Sequence, residues 1–288
     1  MLKGHVILGS LRVRQDRMIF EGLAGTDKTG SGDPADPVEL ALARIRQLSA
    51  HEIGHALGFA HNFAASTYGK GSVMDYPAPD VRVKSGALDF SGVYGVGIGT
   101  WDKFAATWLY GDLTDAERET LVRDAVSDGL VYVADEDARS ASTAHPLGNI
   151  WDNGPDPVQA LRETLQVRQI ALSNFGADRI REGQPVANLN TVIVPIYLYH
   201  RYQTAAAAKL IGGMSFNYAL RGDGQPGAEI VSPERQMDAL DAVLMTIEPA
   251  RLDLSDEVLA LLTPGISNYT LADSEREQFE RVAGPAFD

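Results

Sequence analysis

The sequence predicts an α+β fold that is predominantly helical, with a mixed N-terminal core followed by a mainly α-helical C-terminal domain. Apolar residues at helical spacing run through residues 38–48 into a histidine-rich segment. Runs that suggest strands are few and short. A short strand is expected at residues 130–133. From residue 155 onward, helix-compatible runs and helix-capping residues dominate, and the expected helices include residues 186–211 and 274–282. The boundary between the two domains is expected at residue 112, which gives domains 1–112 and 113–288.

The first fifty residues suggest one strand and two helices. Residues 5–13 are rich in aliphatic side chains, which favours a strand and, with it, an edge that could pair with an extended substrate. Residues 14–23 are compatible with a helix, and a polar, glycine-containing loop follows. A longer helix then begins at Asp33 or Asp36, since either carboxylate can cap it beside a proline.

The most informative segment of the chain lies at the end of that helix. Imidazoles four residues apart on a helix, those of His51 and His55, face the same way and can bind one metal ion. Glu52 lies beside them and can activate a metal-bound water. Gly58 can adopt the left-handed conformation that ends a helix, so the chain can turn and bring in His61 as a third ligand. From the residue frequencies, the number of such patterns expected by chance in a chain of this length is on the order of 10⁻⁵.

A second motif, SVMDYP at residues 72–77, follows closely. Together the two motifs resemble the metzincin clan of zinc metallopeptidases, in which a Met-turn follows the zinc-binding histidines. The resemblance implies that Met74 forms a hydrophobic floor under the three imidazoles, a place that suits an adaptable thioether. It also implies that the hydroxyl of Tyr76 helps to stabilise an oxyanion. The alternative for Tyr76 is an ordinary packed tyrosine at a turn.

Two further likenesses extend the resemblance along the chain. Residues 99–111 resemble the helix that closes metzincin catalytic domains and often ends in Tyr-Gly. The whole chain resembles a family of bacterial zinc-dependent metalloproteases, which are large envelope or secreted proteins. The segments that carry this second likeness are residues 9–16, Asn62, residues 72–77 and residues 151–154. This implies a location in the bacterial periplasm, in the cell envelope or outside the cell.

Composition narrows the classes of partner and metal ligand. The formal net charge of −14 disfavours nucleic-acid binding, because neutralising phosphates requires clustered Lys and Arg. The absence of cysteine leaves nitrogen and oxygen as metal ligands. The longest apolar run is too short to cross a bilayer, and no signal peptide opens the chain. The metzincin resemblance implies an upper subdomain with a multi-stranded sheet before the zinc-binding helix. Only fifty residues precede His51, so we expect this subdomain to be incomplete and further domains to lie upstream in a longer protein.

Several lesser candidates are better explained without a functional role. The acidic run Asp135-Glu136-Asp137 is expected to be a solvated turn, because it does not have the ligand spacing of a calcium loop. The glycine-rich residues 86–99 are interpreted as a connecting loop. His145 is expected to be exposed and His200 to be a packed histidine.

These observations predict a zinc-dependent metalloendopeptidase that acts on a peptide or protein substrate. His51, His55 and His61 would hold Zn²⁺ and leave a position for water, whose pKa zinc lowers from 15.7 to roughly 7. Glu52 would accept the water's proton and pass it to the leaving amine. Two alternatives remain: a zinc amidase acting on a non-peptide or cell-wall amide, and a catalytically incomplete fragment that serves as a binding module.

Overall fold

The computed structural model describes residues 4–140, 142–143 and 145–263. Helices dominate this part of the chain, and its strands form two small antiparallel hairpins, so the predominantly helical α+β class is confirmed. The helices are α1 (Ser10–Ala24), α2 (Pro37–Ala56), α3 (Thr100–Tyr110), α4 (Asp115–Ser127), α5 (Asp135–Ala138), α6 (Pro157–Ser173), α7 (Leu189–Tyr197), α8 (Arg201–Ala208), α9 (Pro233–Met245), α10 (Pro249–Leu252) and α11 (Asp256–Leu261). The strands are β1 (Arg82–Lys84), β2 (Ala87–Asp89), β3 (Met214–Ser215) and β4 (Glu229–Ile230).

The prediction of a strand at residues 5–13 is wrong. Helix α1 begins at Ser10, and residues 4–9 have no regular structure. Among the described residues, no strand lies where it could pair with this segment, so its backbone groups stay with solvent, and Ile7 is 92% exposed. Ion pairs one helical turn apart, Arg12–Asp16 and Arg17–Glu21, support the helix instead. The substrate-pairing role proposed for such a strand has no structural basis here.

Helix α2, which carries the first two histidines, is set at both ends by local sequence. The Oδ1 atom of Asp36 accepts a hydrogen bond of 2.9 Å from the amide of Val38, and Pro37 occupies the first helical position. At the other end the helix stops at Ala56, and Gly58 has a φ of 93°. Both features agree with the sequence prediction, and they fix where the chain turns toward His61.

The core that supports α2 is built mainly by helices. One buried cluster joins α1, α2, α6 and α7 to the segment around the first hairpin. Its members are Phe20, Leu23, Ala35, Leu40, Val81, Phe90, Val93, Tyr94, Val167, Ala171 and Ile196. A second cluster, formed by α6, α8 and α9, buries Leu161, Leu165 and Ala207. The domain boundary at residue 112 remains a prediction.

Elsewhere the structure corrects some boundaries. The strand predicted at residues 130–133 does not form, because this segment is held by the side chain of Asn62, which binds Val131 O and Val133 N. The helix predicted over residues 186–211 is divided into α7 and α8 by a turn at residues 198–200. The helix predicted at residues 274–282 lies outside the described residues.

None of the described helices is both long enough and apolar enough to cross a bilayer.

The cap of α2 can be tested by substitution. Asp36→Ala removes the side-chain acceptor and should lower the free energy of unfolding by about 1 kcal/mol. Asp36→Asn keeps an acceptor oxygen and should lose much less. Urea unfolding followed by circular dichroism measures both values, and an equal loss in the two variants would contradict the capping role.

Candidate metal centre

Three imidazoles converge at the C-terminal end of α2. The Nε2 atom of His55 lies 3.0 Å from that of His51 and 3.1 Å from that of His61. Tetrahedral zinc–nitrogen bonds of 2.0–2.1 Å place their nitrogens roughly 3.3 Å apart, which is close to this spacing. Among the described residues, these three histidines form the group that could hold a metal ion.

The other ring nitrogen of each histidine is occupied by a hydrogen bond. The Nδ1 of His51 lies 2.7 Å from the carbonyl oxygen of Val73, and that of His55 lies 2.9 Å from the carbonyl oxygen of Phe59. A carbonyl can only accept, so in both rings the proton is on Nδ1 and the lone pair is on Nε2. Lone pairs are therefore directed at a common point, as a metal site requires.

Burial keeps the histidines in the form that binds metal. Desolvation lowers the pKa of His51 to about 4, and the neighbouring histidines act in the same direction against the hydrogen bond to Val73. The pKa of His61 is also lowered, again chiefly by burial, although the hydrogen bond that its Nδ1 donates to Asp135 opposes the shift. Near neutral pH both rings are uncharged, so a metal ion does not have to displace a proton from either.

The Met-turn packs directly against α2. Met74 is 1% exposed, and its sulfur lies only 2.2 Å from where a Cβ on Gly54 would be, so a side chain at Gly54 would have to displace it. The turn is fixed from the other side by Asp102 of α3, whose carboxylate accepts hydrogen bonds from Ser72 Oγ (2.6 Å) and Val73 N (2.8 Å). Met74 thus lies next to the helix segment between the first two histidines, and its role as the floor of the site remains a prediction.

Tyr76 lies at the metal centre, and Glu52 adjoins one of the three histidines in sequence. The Tyr76 ring centroid is 5.3 Å from that of His51 and 4.8 Å from that of His61, and the ring stacks on Trp151 at 5.4 Å. Its hydroxyl accepts a hydrogen bond of 3.1 Å from Arg139 Nη2. Glu52 follows His51 on α2 and is half-buried. The catalytic roles of the two residues remain predictions.

A match to a known protein family agrees with this geometry. The model of the Met-zincin family matches residues 33–284, a span that contains α2, the three histidines and the Met-turn. The chain belongs to the Met-zincin family. No curated protein and no solved structure matches it significantly. The resemblance to the metzincin clan is therefore confirmed.

In this Met-zincin the third histidine has a carboxylate partner that the sequence did not indicate. Asp135 begins α5, and its Oδ1 lies 2.8 Å from His61 Nδ1. Its Oδ2 pairs with Arg139 Nε at 2.7 Å. The prediction that residues 135–137 form a solvated turn is thus wrong for Asp135. The two partners are 74 residues apart, so no local spacing could have linked them.

Two other histidines lie apart from this Met-zincin site. His145, expected to be exposed, is 1% exposed, and its Nε2 lies 3.0 Å from the carbonyl oxygen of Phe216, so that prediction is wrong. His200 is half-buried, as expected of a packed histidine, and burial lowers its pKa to about 4. Neither belongs to the metal-binding group found in the described part of the chain.

A cavity of about 460 Å³ lies beside Trp151 and is lined by α1, α6 and the segment after the Met-turn. None of the three histidines lines it. It is therefore separate from the point where the three imidazoles converge.

Asp135→Ala should weaken metal binding, because it removes the group that orients His61. Loss of such a partner typically costs 10–100-fold in affinity, so about that increase in the metal Kd is expected. Competition with a chromophoric chelator measures the Kd. Glu136→Ala, on the same short helix and fully exposed, is the matched control, and equal affinities for the two variants would contradict the orienting role.

Proposed function

We propose that this chain is a zinc-dependent metalloendopeptidase. The observation that carries the proposal is the convergence of three imidazole nitrogens in a chain of the Met-zincin family. Neutral imidazoles suit zinc, and three of them leave a fourth position open for water or substrate. A zinc ion there supplies a Lewis acid, which acidifies a coordinated water and polarises the scissile carbonyl group.

Glu52 is proposed as the general base and then the general acid. It follows His51 directly on helix α2 and precedes His55 by three residues, a spacing that places side chains next to each other on a helix. In the attack step it accepts the proton of the nucleophilic water. In the breakdown step it donates that proton to the leaving amine, so the carboxylate is regenerated with each turnover.

Tyr76 is proposed to stabilise the oxyanion, and its hydrogen bond supports that role. Arg139 donates to the phenol oxygen, so this oxygen acts as an acceptor and its own proton stays free to be donated. That proton can bind the negative charge that develops on the carbonyl oxygen. The ring is held for this task between the imidazole of His61 and the indole of Trp151.

The substrate is proposed to be a peptide or a protein, and the location to be the bacterial envelope or the medium. Membership of the family supports peptide-bond hydrolysis. The acidic surface expected from a net charge of −14 disfavours nucleic acid as a partner. A zinc amidase would use the same residues, so the first experiment below includes both kinds of substrate.

Glu52→Gln should retain zinc but lose about 10²–10⁴-fold in kcat/KM, because only the proton-transfer group is removed. Metal content and cleavage of a mixed peptide library, read by mass spectrometry, measure the two effects. Small N-acyl amides are assayed in parallel, and their exclusive cleavage would favour the amidase. Glu39→Gln, also on α2 but at its first turn, should behave as the parent chain. Near-normal turnover by Glu52→Gln would refute the role.

Tyr76→Phe should lower kcat by about 10²-fold with little change in KM, because a donor to the oxyanion is lost while ground-state packing is kept. Steady-state kinetics on the best library peptide measure both constants. Tyr132→Phe, another half-buried tyrosine stacked on an indole, is the control. A purely packed Tyr76 would show the same kcat in the parent chain and the variant.

A further inference from the structure

Two carboxylates are buried together behind the Met-turn. Asp75 is 4% exposed and Asp152 is 3% exposed, and both line a cavity of about 40 Å³. Asp75 belongs to the SVMDYP motif, and Asp152 belongs to residues 151–154, a segment that also carries the family resemblance. The fold thus brings two separate sequence features to one small interior space.

The hydrogen bonds around this space leave one carboxylate oxygen without a donor. The Oδ2 of Asp152 accepts from Ser66 Oγ at 3.0 Å, whereas its Oδ1 is buried and has no hydrogen-bond partner. The Oδ1 of Asp75 accepts from the amide of Tyr76 at 2.6 Å. A buried carboxylate oxygen without a donor is costly, so a positive group is expected at the cavity.

No side chain among the described residues supplies that charge by direct contact. Neither Asp75 nor Asp152 forms an ion pair within the described part of the chain. Lys209 is close enough to interact electrostatically with Asp152, but its Nζ donates to the carbonyl oxygens of Ala138 (2.5 Å) and Gly148 (2.7 Å). Burial raises the pKa of both carboxyl groups, that of Asp152 to about 7, as expected for charges that lack a counter-ion.

We propose that this cavity binds one calcium ion between Asp75 and Asp152. The available ligands are oxygens, which select a hard cation. A divalent ion neutralises both carboxylates at once, and calcium accepts irregular oxygen geometry more readily than magnesium does. The cavity exceeds the space that a single water-sized particle needs.

The position of the ion gives it a structural task. It ties the Met-turn to residues 151–154, which already touch through a hydrogen bond of 2.8 Å from Trp151 N to Tyr76 O. Trp151 has a φ of 59°, an unusual conformation for a residue with a side chain, and its ring stacks on Tyr76. Calcium would hold this strained segment, and therefore the Tyr76 ring, in place. The inference is independent of the proposed peptidase activity.

The test uses the full zinc-loaded chain at about pH 8.5, above the pKa of about 7 to which burial raises the Asp152 carboxyl group. Adding about 1–10 mM CaCl₂ should raise the Tm by about 3 °C, the shift expected when the ligand is in roughly tenfold excess over Kd. Magnesium at the same concentration should give a smaller shift. Isothermal titration should give one calcium ion per chain.

Variants decide whether these carboxylates are the ligands. Asp152→Asn should abolish the calcium-dependent shift, while Asp124→Asn, an exposed acid on α4, should keep it. If Asp152→Asn does not fold, Asp75→Asn and the calcium titration of the parent chain still test the site. A Tm of the parent chain that does not respond to calcium would overturn the proposal and indicate a proton shared between the two carboxyl groups. An undiminished shift in Asp152→Asn would also overturn it.

Discussion

The candidate metal centre depends on the backbone of Val73, where α2, the Met-turn and α3 meet. Its carbonyl oxygen accepts from the Nδ1 of His51 at 2.7 Å and from the Nε2 of Gln47 at 3.1 Å, both on α2. Its amide donates to Asp102 of α3 at 2.8 Å. The backbone of one residue therefore orients the first histidine, fixes the start of the Met-turn and contacts α3. Since Met74 follows directly, the contact between its sulfur and Gly54 is a consequence of the same anchoring.

This anchoring explains why α2 buries polar side chains. Arg44, Gln47 and His51 are 2%, 6% and 2% exposed, and their spacing places them on one face of the helix. A buried guanidinium is costly unless its charge and its hydrogen-bond donors are compensated. Here Arg44 hydrogen-bonds to Gln47 and lies over the rings of Trp151 (5.5 Å) and Tyr94 (5.9 Å). The polar face of α2 thus connects the histidines to the aromatic segment that carries Trp151.

The sequence predicted those parts of the fold and site that local chemistry determines. The cap at Asp36 and the turn at Gly58 depend on neighbouring residues only, and both were identified. The strand at residues 5–13 failed because a strand requires a partner, and aliphatic composition cannot show whether one exists. Asp135 was missed for a related reason. Its function depends on a contact with His61, and the chain between them has to fold before that contact exists.

The route by which Asp135 reaches His61 shows how this distant segment is positioned. Asn62, directly after the third histidine, is fully buried and binds Val131 O and Val133 N through its side chain. Asp135, two residues after Val133, begins α5. The start of this helix is therefore positioned by the contacts of Asn62, the residue next to His61. Arg139, the residue directly after α5, then binds both Asp135 and the hydroxyl of Tyr76. Because this short helix and the residue after it contact the third histidine and the tyrosine together, a displacement of α5 would alter the proposed metal binding and the proposed oxyanion stabilisation at the same time.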